Sequence, residues 1–273
     1  MAVQTCYRHT SRATGASCTR CDRPICADCM VQAPVGHHCP TCVHDARSTM
    51  RQVRRVRYSG GRTVAAGAVV LALVATNVAV FVVDLVDPSL TLRFADNAVL
   101  VAGGDYYRML TAAFLHAGLV HLGFNMLALY LFGSQVERVL GPARFLALYV
   151  LAAVGGSSLS HYFGAPSTFG VGASGAVFGV LGAFFVIARS RGLDSTQVAG
   201  LIAVNLLLGA AVPRIDNAAH VGGLVTGAVV AAAYAYGGRR GGATGVAVQA
   251  GALAAVAAVI VVATAVRLDQ LAP

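Results

Sequence analysis

A serine set among small residues, Gly172-Ala173-Ser174-Gly175, and a histidine at the start of a later apolar run, His220, are two of the few polar side chains in the apolar body of this chain. His121 and Asn125 are two more, four residues apart and therefore on one helix face. A serine hydroxyl is a weak nucleophile until a base takes its proton, and histidine titrates in the right range to do so. The tetrahedral intermediate that follows needs hydrogen-bond donors, which Asn125, His121 and the Ser174 backbone N–H can supply. Together these residue types describe acyl transfer. The flanking glycines, Gly172 among them, leave the hydroxyl uncovered and allow another backbone to come close. Taken alone, Gly-x-Ser-Gly in an apolar helix is more often a packing motif. No Asp or Glu falls within the second to sixth apolar segments, so the expectation is a Ser174–His220 dyad. Phe178, one turn beyond Ser174 on the same face, is placed to stack on the imidazole in place of an orienting carboxylate.

The elements that would position these groups are membrane helices. The chain is 57% apolar and only 11% charged, and runs of about 20 apolar residues are long enough to cross a bilayer. Seven segments are expected: Val64–Val83, Leu119–Gly133, Phe145–His161, Val171–Ala188, Gln197–Val212, Ala218–Tyr236 and Thr244–Val266. The first and last are the most uniformly apolar, and the second to sixth are short and glycine-rich, as a compact bundle requires. Gly179, Gly182, Gly223 and Gly227 read as packing positions.

All twenty basic residues are arginine, giving a net charge of +9. Arg47, Arg51, Arg54, Arg55, Arg57 and Arg62 precede the first segment. With Arg138, Arg144, Arg189, Arg191, Arg239 and Arg240 they would lie on one side, against Arg93, Arg108, Arg214 and Arg267 on the other. The positive-inside rule then puts the N-terminus in the cytoplasm and the C-terminus outside, in a multi-pass protein of the cell membrane. In that topology the segments bearing His121, Ser174 and His220 all begin on the outer side, so their polar groups share one layer. The polybasic stretch suits anionic lipid headgroups better than nucleic acid, which is not expected as a partner. No short apolar leader with a cleavage site opens the sequence, so no removable signal peptide is expected.

Other chemistries fit less well. There is no His-Glu-x-x-His for a catalytic zinc and no pair of intramembrane aspartates. A transporter would need a polar path, and the inner halves of these segments are nearly all apolar. The loop from Asp84 to Phe114, with Phe94, Tyr106, Tyr107 and Met109, is expected to lie partly in the membrane interface. His116 reads as a capping or loop contact and His161 as an interfacial residue.

Residues 1–46 are of another kind. All seven cysteines lie there, in the pattern Cys6-x2-His9, Cys18-x2-Cys21, Cys26-x2-Cys29, Cys39-x2-Cys42. A two-residue gap lets both side chains of a pair bind one tetrahedral ion, and four pairs make two closed, structural zinc sites. His37 and His38 are alternatives in the last pair. An odd cysteine count beside a cytoplasmic arginine stretch argues against disulfides. So short a segment buries little apolar surface, so the metal supplies most of its folding energy. A protein partner for this module is conceivable. The expected organisation is a zinc module at 1–46, an Arg-rich linker at 47–63 and a membrane domain at 64–268.

His116-Ala-Gly-Leu-Val-His121-Leu-Gly-Phe-Asn125-Met126, Gly172-Ala-Ser174-Gly175 and Ala219-His220-Val-Gly-Gly223-x3-Gly227 resemble, in order and on matching helices, the three signatures of rhomboid intramembrane serine proteases. The resemblance covers about residues 64–268. It implies an α-helical polytopic fold, a six-helix bundle plus one C-terminal helix, and a Ser174–His220 dyad with His121 and Asn125 in the oxyanion region. It also implies cleavage of other proteins' transmembrane segments near their outer ends, without a cofactor; a rhomboid-like binder that has lost catalysis is the alternative. The family's loop-one Trp-Arg pair appears here as Tyr107-Arg108 in a chain without tryptophan. Glu137-Arg138 would be structural, on the cytoplasmic side. The N-terminal segment resembles B-box and RING-like modules, whose two sites interleave by pairing first with third and second with fourth, and it is similar to the extensions of some bacterial members.

Overall fold

The computed structural model describes residues 4–33, 35–49, 67–212, 215–237 and 242–271, without the side chains of 47–49. Arg51, Arg54, Arg55, Arg57 and Arg62 of the expected linker, and Arg214, Arg239 and Arg240, lie outside the described residues. The chain divides into two compact units, Met1–Arg55 and Val56–Pro273.

The first unit is two short hairpins and a helix. Strands β1 (Gln4–Thr5) and β2 (Ala13–Thr14) pair antiparallel, as do β3 (Val31–Gln32) and β4 (His37–His38). Helix α1 (Pro40–Thr49) opens on a proline, whose fixed φ suits a first helical position. The core consists of Cys6, Cys18, Cys26, Cys29, Cys39 and Ile25. One aliphatic side chain is too little to hold a fold this size, so the cysteines must contribute more than packing.

The second unit is a helical bundle. Helix α2 (Ala68–Val86) is followed by three short helices, α3 (Ser89–Phe94), α4 (Ala98–Ala102) and α5 (Arg108–Thr111). Helix α6 (Leu119–Ala128) continues through a π turn at Leu129–Gly133 into α7 (Ser134–Leu140), making one span of Leu119–Leu140. Then come α8 (Pro142–Phe163), α9 (Ser174–Ser190), α10 (Thr196–Ala211), α11 (Asn217–Gly237) and α12 (Gly242–Asp269). Among the described residues, five spans, Ala68–Val86, Leu119–Leu140, Pro142–Phe163, Asn217–Gly237 and Gly242–Asp269, are long and apolar enough to cross a membrane; α9 and α10 are shorter apolar helices. This is a polytopic α-helical membrane protein. Its lipid-facing surface is explicit in exposed side chains such as Leu119, Val120, Phe124, Val259, Val261 and Val262, a band water would not tolerate but a bilayer solvates.

Several boundaries differ from the sequence expectation: α2, α8 and α12 reach Val86, Pro142 and Asp269 rather than Val83, Phe145 and Val266, and the start expected at Val64 lies outside the described residues. The second span extends seven residues beyond Gly133 to Leu140, because the π turn lets the helix pass Gly133 without stopping. Its extension carries a buried carboxylate, Glu137, which accepts the Val69 and Val70 N–H groups at 3.1 and 2.9 Å. These are N-terminal amides of α2 with no partner inside that helix, and an anion there also meets the positive end of its dipole. The fourth segment begins its helix at Ser174 rather than Val171, after Gly172 at φ 131°. The Asp84–Phe114 loop is helical over much of its length, with Met109 buried and Tyr106 and Tyr107 exposed. Arg108 ties it together, bonding to the Asp105 carboxylate and the Leu92 and Ala95 carbonyls.

Helix α9 is the centre, buried over the whole run Gly175–Ala183 and packed between α8 and α11. A helix apolar all round belongs in such a position. Its contact with α11 is backbone to backbone: a Cβ at Gly223 would collide with the Gly175 carbonyl, and one at Gly227 with the Gly179 carbonyl. Small residues are what permit this approach where no hydrophobic drive pulls helices together.

Candidate functional site

Ser174 is the first residue of α9, at the helix end where N–H groups lack intrahelical acceptors and the dipole is positive. Just before it, Gly172 takes a left-handed φ and donates its N–H to the Ala112 carbonyl at 2.9 Å. The position a Cβ would occupy on Gly172 is 2.6 and 2.8 Å from Cε1 and Nε2 of His121, and 3.7 Å from the Ser174 hydroxyl oxygen. Glycine is required there twice, by conformation and by the imidazole against it. Ser174, Gly172 and His121 are thereby brought together.

His220 lies one residue beyond Ala219, whose carbonyl meets Gly175 at the seam of α9 and α11. Its imidazole is buried and stacked on Phe178, with ring centroids 4.2 Å apart and planes 9° from parallel. Its Nδ1 has no hydrogen-bond partner among the described residues. Asn125 is buried on α6, and its side-chain amide donates to the His121 carbonyl at 2.9 Å, one turn back on the same helix. That bond uses one of two amide hydrogens and leaves the other. His116 is buried, edge-on to His121 at 5.1 Å, and neither ring nitrogen makes a hydrogen bond among the described residues. Beside Ser174 is a cavity of about 50 Å³, walled by Met109, Ala113, Ser157, Gly172, Asp96 and Asp216 among others. By volume it admits a few water-sized groups.

Sequence reading missed the acidic groups near this cavity. His161, expected at the interface, is buried in the last turn of α8, with Nε2 3.0 Å from both Asp96 carboxylate oxygens. Asp216 bonds to the Ser160 hydroxyl and caps α11 by accepting the Ala219 N–H at 2.9 Å. Asp96 and His161 are 65 residues apart in sequence; nothing local marks them as partners. For Asp216 alone a local signal exists, since Asp216-Asn217 directly before an apolar run is an N-cap pattern.

In the N-terminal unit, Cys6, His9, Cys26 and Cys29 converge in one group and Cys18, Cys21, Cys39 and Cys42 in another, each with its ligand atoms within 4.8 Å of one another. First pairs with third, and second with fourth. The His9 Nδ1 lies 4.0, 3.3 and 3.4 Å from the sulfurs of Cys6, Cys26 and Cys29; Cys21 and Cys39 sulfurs are 3.7 Å apart. Tetrahedral zinc with Zn–N near 2.0 Å and Zn–S near 2.3 Å separates its ligand atoms by about 3.5–3.8 Å. The donor sets therefore fit that ion in both kind and spacing. His37 and His38 sit in β4 and belong to neither group.

All seven cysteines are free. Burial acts to raise the Cys6 and Cys18 thiols, yet the surrounding backbone donors outweigh it and bring both down to about 6. Burial and the neighbouring sulfurs of Cys6 and Cys26 push Cys29 up to about 11; Cys21 and Cys39 push Cys42 up to about 12. The lowered thiols, Cys6 in one group and Cys18 and Cys39 in the other, favour the thiolate, the form a metal binds.

Residues 103–237 match the Rhomboid domain family model. The rhomboid protease AarA of Providencia stuartii is 30% identical over 204 residues, which cover 61% of this chain and 72% of AarA. The rhomboid protease GluP of Bacillus subtilis (strain 168) is 44% identical over 140 residues, 49% of this chain and 27% of GluP. RHOMBOID-like protein 4 of Arabidopsis thaliana is 40% identical over 144 residues, half of this chain and 36% of the relative. The chain thus spans well under half the length of the last two. Three matching signatures on a glycine-packed helical bundle, and similarity across most of AarA, lead to one conclusion: this chain belongs to the rhomboid family.

Proposed function

We propose that the protein is an intramembrane serine endopeptidase acting on transmembrane segments of other membrane proteins. Ser174 is the nucleophile and His220 its base. The hydroxyl oxygen attacks the scissile carbonyl carbon while its proton passes to the imidazole. Collapse of the tetrahedral intermediate breaks the C–N bond, and the imidazolium protonates the leaving amine. Water then hydrolyses the acyl-enzyme by the same proton path in reverse. The oxyanion is held by the Ser174 N–H at the α9 N-terminus, by Asn125 and by His121, with Gly172 leaving room for it. Stacking on Phe178 orients the imidazole in place of a carboxylate.

The observation that carries this reading is the glycine seam of α9 and α11, which sets the Ser174 end of one helix against the His220 end of the other. In proteoliposomes with a single-span substrate bearing small residues near its outer end, wild-type protein is expected to cleave and Ser174→Ala to be inert. Equal cleavage by both would refute the assignment.

The cytoplasmic N-terminus, the external active-site face and the cell membrane are part of the same proposal, supported by the arginine asymmetry. So is a zinc module at residues 1–46, joined by the Arg-rich linker 47–63 to the protease domain 64–268. Its eight ligands, Cys6, His9, Cys18, Cys21, Cys26, Cys29, Cys39 and Cys42, would hold two structural zinc ions, closed to water and apart from catalysis.

A further inference from the structure

We infer that Asp96 and His161 are positioning residues that hold the loop before Ser174 in register, an inference resting on the reading of Ser174 as nucleophile. That loop, residues 164–173, has little apolar anchorage of its own: Phe169 is half exposed. Its placement comes instead from residues 96 and 97. Asp96 and Gly170 exchange backbone hydrogen bonds of 3.0 and 2.8 Å, forming an isolated antiparallel bridge. The Asn97 side-chain amide donates to the Thr168 carbonyl at 3.2 Å.

The template is itself held by its side chain. Asp96 is only 7% exposed and both its carboxylate oxygens lie 3.0 Å from His161 Nε2. A buried carboxylate without a donor is costly, so the donor on His161 decides where Asp96 can sit. His161 is fixed in turn, because Arg267 of α12 donates to its carbonyl at 2.8 Å and Thr264 donates to the Ser158 hydroxyl at 2.9 Å. A continuous line of bonds therefore runs from α12 through the end of α8 and Asp96 to Gly170, two residues before Gly172. The tolerance at its far end is small, since a Cβ on Gly172 would stand 2.6 Å from the His121 ring and leaves no room even for a methyl group there. A shift of a few tenths of an ångström there moves the hydroxyl relative to the donors. Misplacement of that kind lowers the rate of the bound complex rather than binding.

The test uses the full chain in proteoliposomes, with a single-span substrate and, separately, a fluorophosphonate label for Ser174. Asp96→Ala and His161→Ala are each expected to lower kcat tenfold or more with KM changed less than threefold. The double variant should be no slower than the slower single one, because both remove the same link. Asp96→Asn keeps one acceptor oxygen and should give an intermediate kcat; it carries the test alone if the alanine variants do not fold. Labelling should fall in the same order. The inference is overturned by a wild-type kcat in Asp96→Asn and in whichever alanine variants fold, by losses that add in the double variant, or by a rise in KM alone. Ser174→Ala separates the two levels: if it still cleaves, the nucleophile assignment fails, whereas an inert Ser174→Ala beside unimpaired Asp96 variants fails this inference only.

Discussion

The His220 imidazole rests flat on Phe178 and carries no carboxylate on its Nδ1 side among the described residues. In a three-residue set a carboxylate fixes the tautomer and stabilises the imidazolium that forms. Here a ring face has to do the orienting, and aromatic stacking is worth about 0.5–1.5 kcal/mol beyond the area it buries. Phe178→Leu should therefore slow cleavage by roughly tenfold while leaving KM nearly unchanged, and Phe178→Tyr should stay close to wild type; steady-state kinetics with a single-span substrate decides. His220→Ala should be as inert as Ser174→Ala and as the double variant, since residues acting as a unit do not lose additively. As a proposal these residues were legible, because their types are rare in apolar runs and their spacings repeat a helix face. Asp96 and His161 were not: a carboxylate in a loop and a histidine at a helix end look like solvated groups until the fold buries them against each other.

At the level of helices, the site depends on how closely α9 and α11 approach. Gly223 and Gly227 face the Gly175 and Gly179 carbonyls with no space for a methyl group. Gly227→Ala lies away from Ser174, yet it must push the helices apart. Overpacking of this kind costs about 1–3 kcal/mol, and the expected result is a lower Tm in detergent together with a fall in kcat. Unchanged stability and rate would contradict the close seam. The other structural lock is Glu137 on the α2 N-terminus. Glu137→Ala strands two amides and should lower unfolding stability by about 1–3 kcal/mol, with Glu137→Gln intermediate because it keeps one acceptor oxygen. The glycine spacing foretold packing positions, but it could not say which helix each faced. The extension of the second span through a π turn was equally hidden, since Gly133 looks like a stop signal in one dimension and a packing site in three.

The whole molecule has two units with different sources of stability. In the N-terminal unit the buried side chains are almost all cysteine, so chelation should unfold it. Purified protein is expected to contain two zinc ions per chain, and treatment with a strong chelator should abolish its folded signature by nuclear magnetic resonance or protease resistance while the membrane unit keeps its helical circular dichroism. Metal analysis that finds none under reducing conditions would remove the zinc reading. Protons compete with the metal for the same sulfurs, so metal retention should weaken as pH falls, with Cys6 and Cys18, whose thiols are lowered by backbone donors, the last to be protonated; dye competition across an acidifying series measures it.

Composition alone determined that the chain lives in a bilayer, because runs of about 20 apolar residues have no other stable solvent. The four cysteine and histidine pairs likewise pointed to the proposed metal chemistry, since a two-residue gap is a local constraint that a sequence carries openly. Ser174, His220, His121 and Asn125 could be proposed from residue type and helix spacing, without any distance between them. What only the tertiary structure decided is everything that depends on distant segments meeting: the His121 ring against Gly172, the imidazole on Phe178, the Glu137 cap on α2, and the Asp96–His161 pair behind the serine loop. Each joins residues whose separation in sequence sets no distance between them, and burial then turns an ordinary polar side chain into one that must have a partner.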